Sequence, residues 1–420
     1  MVSELPAHPY TMDTPVKRVS TLYFAGLGLA QFGIFIAILA PVIISMQLKA
    51  QEINPTDPAS VVGSVLPIGA LAALIGNPVF GALSDATRTR WGRRKPWLLG
   101  GILGLLAGLA WVAVSSSVLE LTLAWLVCQL ASNAASATLI ASFADNVPEV
   151  QRGRGSAIFA LAQNVSILAG IYGAVLLSDN LPLLFLLPGV IGVILVSTYV
   201  FITPDKLPEV ESRRFSLQRI ITTFWTNPLK FPDFALAWWS RFLIIFASML
   251  FTTYRYLYMT DHLGLESDFA LTAVANGVLF YTIALMVSSL LSGWLSDRLG
   301  RRKIFVAAST LLFGVGLVML AFASTVEAFY LAEVVMGLAF GVYSSVDTAL
   351  VVDVLPNPDK PGKDLGVINI ANSLPQSLAP ALGLILLGIG GTGNYVALLW
   401  GAGAIAVIGA LVVLPIRGVR

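Results

Sequence analysis

The sequence predicts an all-α membrane protein, with twelve transmembrane helices arranged as two pseudo-symmetric bundles of six. Three observations carry that prediction. The first is composition: 57% of the 420 residues are hydrophobic and 11% are charged, with a mean hydropathy of +0.83, against roughly 25% charged in a soluble domain. The second is length. Apolar stretches of more than about 18 residues recur along the whole chain, enough to cross a ~30 Å hydrocarbon layer as helices, and they lack the every-second-residue alternation of barrel strands. The third is repetition. Ser84-Asp85 recurs as Ser296-Asp297, and Asp145 and Pro148 recur as Asp353 and Pro356. Both offsets are about half the chain, as expected of two parallel repeats related by an axis along the membrane normal.

Hydropathy places the spans at 20–48, 58–84, 96–116, 118–145, 155–177 and 182–202, then at 234–260, 268–296, 304–323, 326–355, 364–388 and 394–416. Four regions follow: an N-terminal segment at 1–18, a first bundle at 19–202, a linker at 203–233 and a second bundle at 234–420. The 37 glycines suit close helix packing. The opening residues, MVSELPAHPYTMDTPVKR, show no basic-apolar-cleavage pattern, so the first span is expected to serve as its own insertion signal. Cys128 is the lone cysteine, which excludes an internal disulfide.

Charge sets the expected orientation. All but three of the 25 Lys and Arg fall before the first span, at 85–95, 146–154, 203–233, 297–303 and 356–363, or at the C-terminus; the exceptions are Lys49, Arg241 and Arg255. Both termini are therefore expected on the cytoplasmic side of a cell membrane.

Several function classes are excluded at this stage. His8 and His262 are the two histidines, both outside the predicted spans, and with no cysteine cluster there is no recognisable metal site. A GxxxxGK[ST] phosphate loop is absent. The cations are spread over loops rather than gathered on one solvated face, so no nucleic-acid partner is expected. Neither an enzyme nor a cofactor is indicated, and the partners expected are a small molecule and the lipid bilayer.

Ionisable residues inside the membrane are the sharpest functional signal, because each costs at least about 2.5 kcal/mol at mid-helix unless paired. Arg241 and Arg255 stand on the seventh span, Glu333 and Asp347 on the tenth, and each pair has the same fourteen-residue spacing. Fourteen residues return to nearly the same helix face about 21 Å further along. The two spans run in opposite directions, so Arg255 should meet Glu333 at one level and Arg241 should meet Asp347 at the other. Asp347, and after it Glu333, is the expected site of protonation; a purely structural role for both pairs is the alternative.

The stretch NPVFGALSDATRTRWGRRKPWLL, residues 77–99, and its shortened copy GWLSDRLGRRK, residues 293–303, carry a family resemblance. The chain resembles the major facilitator superfamily over its full length. More narrowly it is similar to the glycoside–pentoside–hexuronide:cation symporters and the related sucrose transporters, where an (N/D)P pair, a TRxRWG segment and a KPW or RPW close are typical. The resemblance implies the major facilitator fold and secondary active transport by alternating access, most simply proton-coupled uptake of a sugar or glycoside by a monomer. Efflux of an amphipathic small molecule and a non-transport membrane scaffold remain as alternatives.

The departures bear on coupling. In the cation symporters, carboxylates on the second span precede the proline by one and five residues, where this chain has Asn77 and Ala73; a fourth-span carboxylate falls near Asn133 and Gln129. The fourth-span acid serves cations in that family and protons in the sucrose relatives, so the departures count against sodium coupling through the usual site, and the proton, the expected coupling ion, must use another residue.

In that superfamily the first, fourth, seventh and tenth spans line a central cavity. Trp125, Gln129, Ser132, Asn133 and Ser136 share one face of the fourth span, and Gln31 adds an amide on the first. Amides both donate to and accept from hydroxyls, and an indole can cover a sugar's C–H face. Asn164, Asn372 and Gln376 occupy matching places in the fifth and eleventh spans, beside Pro375, a potential hinge. Together with Gln31, Trp125, Gln129 and Asn133 they are the expected substrate contacts. Tyr254, Tyr256 and Tyr258 are expected in an interfacial aromatic belt. Asp85, Arg93, Arg94 and Asp145 in one half, and Asp297, Arg301, Arg302 and Asp353 in the other, are expected to form a cytoplasmic latch that holds the inner face shut.

Overall fold

The structure, a computed structural model, describes residues 18–205, 226–356, 362–391 and 393–418. The N-terminal segment and most of the linker expected from the sequence thus lie outside the described residues. Twelve helices among those described are long and apolar enough to cross a membrane. The first six are α1 (Thr21–Ile53), α2 (Pro58–Ala86), α3 (Lys95–Val114), α4 (Val118–Asn146), α5 (Glu149–Leu176) and α6 (Leu181–Ile202). The second six are α7 (Pro232–His262), α8 (Ser267–Leu299), α9 (Arg302–Phe322), α10 (Val326–Asp353), α11 (Gly362–Leu387) and α12 (Tyr395–Val413).

The turns that lead into α2, α4, α6, α10 and α12 are short and self-capping. Asp57 accepts from Ser60 N, Ser117 from Glu120 N, Asn180 from Leu183 N, Thr325 from Ala328 N and Asn394 from Ala397 N. Each satisfies a backbone donor that a helix start leaves orphaned. All five lie at the end of the molecule remote from the basic loops. Predicted and observed spans agree to within a few residues, except that α1 runs on to Ile53, not 48, and α5 begins at Glu149, not 155. Its first turns carry Gln151, Arg152 and Arg154, and hydropathy does not register a helix that starts in the polar layer.

Helices α1–α6 pack into one bundle and α7–α12 into the other. Within a bundle, contact is close where side chains vanish. Gly33 on α1 meets Gly192 on α6, Gly101 on α3 meets the backbone of α4 at Ala131 and Ala135, and Gly337 and Gly341 on α10 lie against the α8 carbonyls of Tyr281 and Leu285. In hydrocarbon, where lipid tails are as apolar as leucine, such packing and interhelical hydrogen bonds replace the hydrophobic effect as the force between helices. Between bundles, α2 packs on α11 and α5 on α8, two seams that a half-chain rotation exchanges.

Gly337 is a test of this packing, because any Cβ there would strike backbone, which cannot rotate away. Gly337→Ala should lower the thermal unfolding midpoint, at a cost of about 1–3 kcal/mol. Gly173→Ala, with nothing within 4 Å of the added carbon, should leave the melt unchanged. Equal melts for the two variants would remove close approach as the reason for the glycine.

Candidate functional site

At mid-depth in the first bundle the polar face of α4 is organised by its own backbone. Asn133 Nδ2 donates to Gln129 O at 2.9 Å and Ser132 Oγ to the same carbonyl at 3.0 Å. Asn77 Nδ2 on α2 donates to Asn133 Oδ1 at 3.3 Å, so two of the positions that depart from the cation-symporter pattern are joined as a neutral amide pair. Gln129, Asn133 and Ser136 are half-buried and Gln31 on α1 is buried. Asn164 Nδ2 bonds Ala160 O and Gln376 Nε2 bonds Asn372 O, each one turn back on its own helix; Gln376 is exposed and Asn372 half-buried.

Trp125 departs from the expected sugar wall. Its indole is fully buried under α2, where Gly69 leaves room for the ring, and Nε1 has no hydrogen-bond partner among the described residues. The missing side chain at Gly69 draws the indole into the bundle rather than toward the cavity.

The second bundle brings charge to the interior. Arg241 on α7 reaches Asp347 on α10 through Nε at 2.7 Å and Nη2 at 2.5 Å, both on Oδ2, and Tyr343 Oη donates to the same oxygen at 3.1 Å. Asp347 Oδ1 is buried without a hydrogen bond. Arg255 Nε lies 3.0 Å from Glu333 Oε1, but neither atom, nor Oε2, makes an aligned hydrogen bond, and the guanidinium stands 5.2 Å from the centre of the Phe251 ring. Both pairs are buried alike: the Arg241 and Arg255 side chains are 12% and 8% exposed, and Asp347 and Glu333 are 2% and 0% exposed. Tyr343, one turn before Asp347, was the missed member of this cluster, and the i, i+4 spacing was its signal.

The basic loop after α2 is tied down by carboxylates. Arg93 Nη2 lies 2.8 Å from Asp145 Oδ1, Arg94 Nε 2.9 Å from Asp145 Oδ2, and Arg94 Nη2 2.5 Å from Asp85 Oδ1. Asp205, just past α6, accepts from Arg94 N at 2.7 Å and Lys95 N at 2.9 Å, capping α3. Gly92, at φ +104°, lets that carboxylate pass where a side chain would collide with it. In the second half Arg302 Nη1 lies 2.5 Å from Asp353 Oδ2. Arg301 is the residue before α9 and makes no ion pair among the described residues; the Asp297 side chain lies outside them. These ion pairs stay within one bundle. They fix the loop to helix ends of its own half, the pairing within each half expected for Asp85, Arg93, Arg94 and Asp145 and for Arg302 with Asp353, and none of them bridges the two halves.

What does bridge the halves lies at the remote end. Gln47 Nε2 on α1 donates to Thr253 O on α7 at 2.8 Å, Tyr256 Oη donates to Gln51 Oε1 at 3.3 Å, and Tyr172 Oη on α5 donates to Asn276 Oδ1 on α8 at 3.0 Å. Tyr254 packs between Gly63 on α2 and Gly383 on α11, its hydroxyl donating to Pro380 O at 2.5 Å. Tyr254, Tyr256 and Tyr258 are fully buried and form no interfacial belt. Each hydroxyl finds an internal acceptor, Tyr258 on Leu320 O at 2.8 Å, and that satisfaction is what allows burial. Toward the basic loops the α4 face is uncovered: Ile140, one turn past Ser136, is 52% exposed. The conformation is closed at the remote end and open on the basic-loop side.

Comparison with known proteins gives the fold a family. The Major Facilitator Superfamily pattern matches residues 23–280 and 268–419. An uncharacterised symporter of Synechocystis is 56% identical over 46 residues, 11% of this chain and 8% of that protein. The arabinose-proton symporter of Escherichia coli is 32% identical over 122 residues, 29% of this chain and 25% of that protein, so the matched segments span a quarter or less of either relative. A crystal structure of the nucleoside transporter NupG superposes with a TM-score of 0.75 at 13% identity, covering 94% of this chain and 99% of that one, a likeness of fold.

The remote seal should fail when the glycine notch is filled. Gly63→Leu puts carbon against the Tyr254 hydroxyl and Leu384, so a cysteine placed at Gln47 should label with a membrane-impermeant maleimide at least about ten-fold faster in that background, while α2 still folds. Unchanged labelling would mean that Tyr254 packing does not close this end.

Proposed function

The chain belongs to the Major Facilitator Superfamily, and within it we propose a secondary active transporter that couples uptake of a sugar or glycoside to protons by alternating access. One observation carries the reading: the first bundle offers the interior neutral amides, and the second offers a buried carboxylate, Asp347, paired with Arg241 through one oxygen while the other has no hydrogen bond. Gln129, Asn133, Asn77 and Gln31 can donate to and accept from sugar hydroxyls. The fingerprint shared with the glycoside–pentoside–hexuronide symporters and the matched segment of the arabinose-proton symporter support the substrate class.

Coupling rests on Asp347. While ionised, it is held by Arg241 and Tyr343 through one oxygen, and the other oxygen is unsatisfied. A buried carboxylate without its arginine is costly, so release of Arg241 favours uptake of a proton, and loss of that proton draws the arginine back. The Asn77–Asn133 pair supports protons over sodium, because two amides hydrogen-bonded to each other present no negative charge. The distribution of Lys and Arg supports a cell-membrane location with both termini cytoplasmic. On that orientation the described conformation faces inward.

Two measurements test the proposal. A sugar at a hundred times its Kd should stabilise the purified protein by about 2.7 kcal/mol, visible as a raised melting temperature in a panel of pentoses, hexoses and disaccharides; no shift with any of them would overturn the substrate class. In proteoliposomes, Asp347→Asn should cut pH-driven accumulation by about ten-fold or more, a loss of roughly 1.4 kcal/mol in driving free energy, and leave substrate exchange at equal pH intact. Glu333→Gln should have the smaller effect on coupling. Coupling abolished by Glu333→Gln and untouched by Asp347→Asn would place the proton on the other carboxylate.

A further inference from the structure

On the outer flank of the first bundle, away from the amide wall, α2, α3 and α4 leave a groove of about 470 Å³. Its walls are Phe80, Pro96, Trp97, Val127 and Leu130, and its floor is Gly100. The one polar atom of the tryptophan is already used, since Trp97 Nε1 donates to Thr87 Oγ1 at 2.7 Å, so the lining offers an occupant nothing but apolar contact. Gly100 is exposed with nothing within 4 Å of an added Cβ, and Leu103, one turn further along α3, is 52% exposed. The groove therefore opens sideways, into the hydrocarbon of the leaflet on the basic-loop side.

The mouth of the groove is cationic. Lys95 begins α3 immediately before the lining residue Pro96, and the loop leading to it carries Arg90 and Trp91 at the surface. Arg93 and Arg94 are consumed by Asp85 and Asp145. Arg90 and Lys95, by contrast, make no ion pair among the described residues, and the Asp205 carboxylate is spent on the backbone N–H groups of Arg94 and Lys95. An exposed Trp, 57% accessible, suits the headgroup layer. An apolar slot whose lining Pro96 directly follows Lys95, with exposed Arg90 on the loop leading to it, has the two-part chemistry of an anionic phospholipid: acyl chain below, phosphate above.

We propose that this groove binds one anionic phospholipid, an acyl chain lying on Gly100 between Phe80, Trp97 and Leu130 and the phosphate meeting Lys95 and Arg90. The site is separate from the transport interior. Its consequence is local: the lipid would hold the α2–α3 loop against the membrane surface at the same point where Asp205 and Asp145 hold it from the protein side.

The test is native mass spectrometry of the full chain in detergent with added phosphatidylglycerol or phosphatidylcholine. The wild type should retain one phosphatidylglycerol at a concentration about ten-fold below that needed for phosphatidylcholine, roughly three-fold per cation for two cations screened by detergent and salt. Lys95→Gln should remove most of that preference and leave phosphatidylcholine binding unchanged. Lys230→Gln, which deletes an exposed cation on the same side of the other bundle, should not change it. Gly100→Leu, whose Cβ meets no atom within 4 Å, sets a side chain on the floor and should weaken both lipids about equally, with a melting curve like the wild type. Equal retention of the two lipids by the wild type, a Lys95→Gln effect no larger than that of Lys230→Gln, or unchanged binding in Gly100→Leu would each overturn the proposal. So would a complex of twice the protomer mass that Gly100→Leu abolishes, since that would give the groove to a second copy of the chain.

Discussion

A guanidinium inside hydrocarbon must have an anion beside it, and two such pairs set the register of α7 against α10. Arg241 with Asp347 and Arg255 with Glu333 are spaced equally on antiparallel helices, so shifting α7 by one turn would strand four charges at once. Removing a single partner from a buried pair costs about 3–5 kcal/mol, and that penalty makes the register rigid. The rotation of α7 follows from it. Arg255 points at Glu333, its neighbour Tyr254 is turned toward Gly63 and Gly383, and Tyr256 is turned toward Gln51. The closure of the remote end is thus a consequence of ion pairs that take no direct part in it.

The two bundles share a frame and differ in their interiors. Each half ends α4 or α10 in an aspartate, Asp145 or Asp353, that pairs with an arginine at the start of the preceding α3 or α9, Arg94 or Arg302. Each pair fastens two helices of its half together, and in the first half Asp85 ties in α2 as well, so that each half can move as a body. Between the fastened ends the first bundle carries only neutral amides at mid-depth and the second carries both ion pairs. A solute whose groups are hydroxyls can bind the first without disturbing its charge balance, and protonation can act in the second without unmaking the amide wall. The asymmetry is what allows the proposed substrate and proton sites to be separate and still be coupled through the rocking of one unit against the other.

The features legible in the sequence were those that a membrane makes long or rare. Twelve spans are visible because each needs some twenty apolar residues in a row, and the α7–α10 pairs because four charges in such spans have few partners to choose from. What the sequence hid was rotation and backbone. Trp125 lies on the same face as Gln129 in the periodic pattern, yet the void at Gly69 on another helix takes the indole inward. The tyrosines of α7 looked interfacial because their position along the span is near its end, whereas their burial depends on glycines in α2 and α11. Asp205 was invisible as a functional residue since its partners are backbone N–H groups, which have no sequence signature. The latch residues and their pairing within each half were legible in the charge pattern, but where those pairs sit relative to the contacts between bundles is a matter of tertiary placement that charge pattern cannot encode.

That placement alters the account of how the molecule moves. The Asp85, Asp145 and Arg94 cluster is intact in a conformation already open on its own side, so opening that side does not require breaking it. The contacts that must break to open the remote end are of another kind. Gln47 to Thr253, Tyr256 to Gln51 and Tyr172 to Asn276 are neutral hydrogen bonds, each worth about 0.5–1.5 kcal/mol when water or another partner can replace it, and the Tyr254 notch is van der Waals packing. No bridging ion pair among the described residues has to be separated in low dielectric. A seam of replaceable contacts between two charge-fastened units keeps the two conformations close in free energy. The difference of a few kcal/mol that the proposed sugar, or the proposed proton on Asp347, would supply is then enough to shift the population from one to the other.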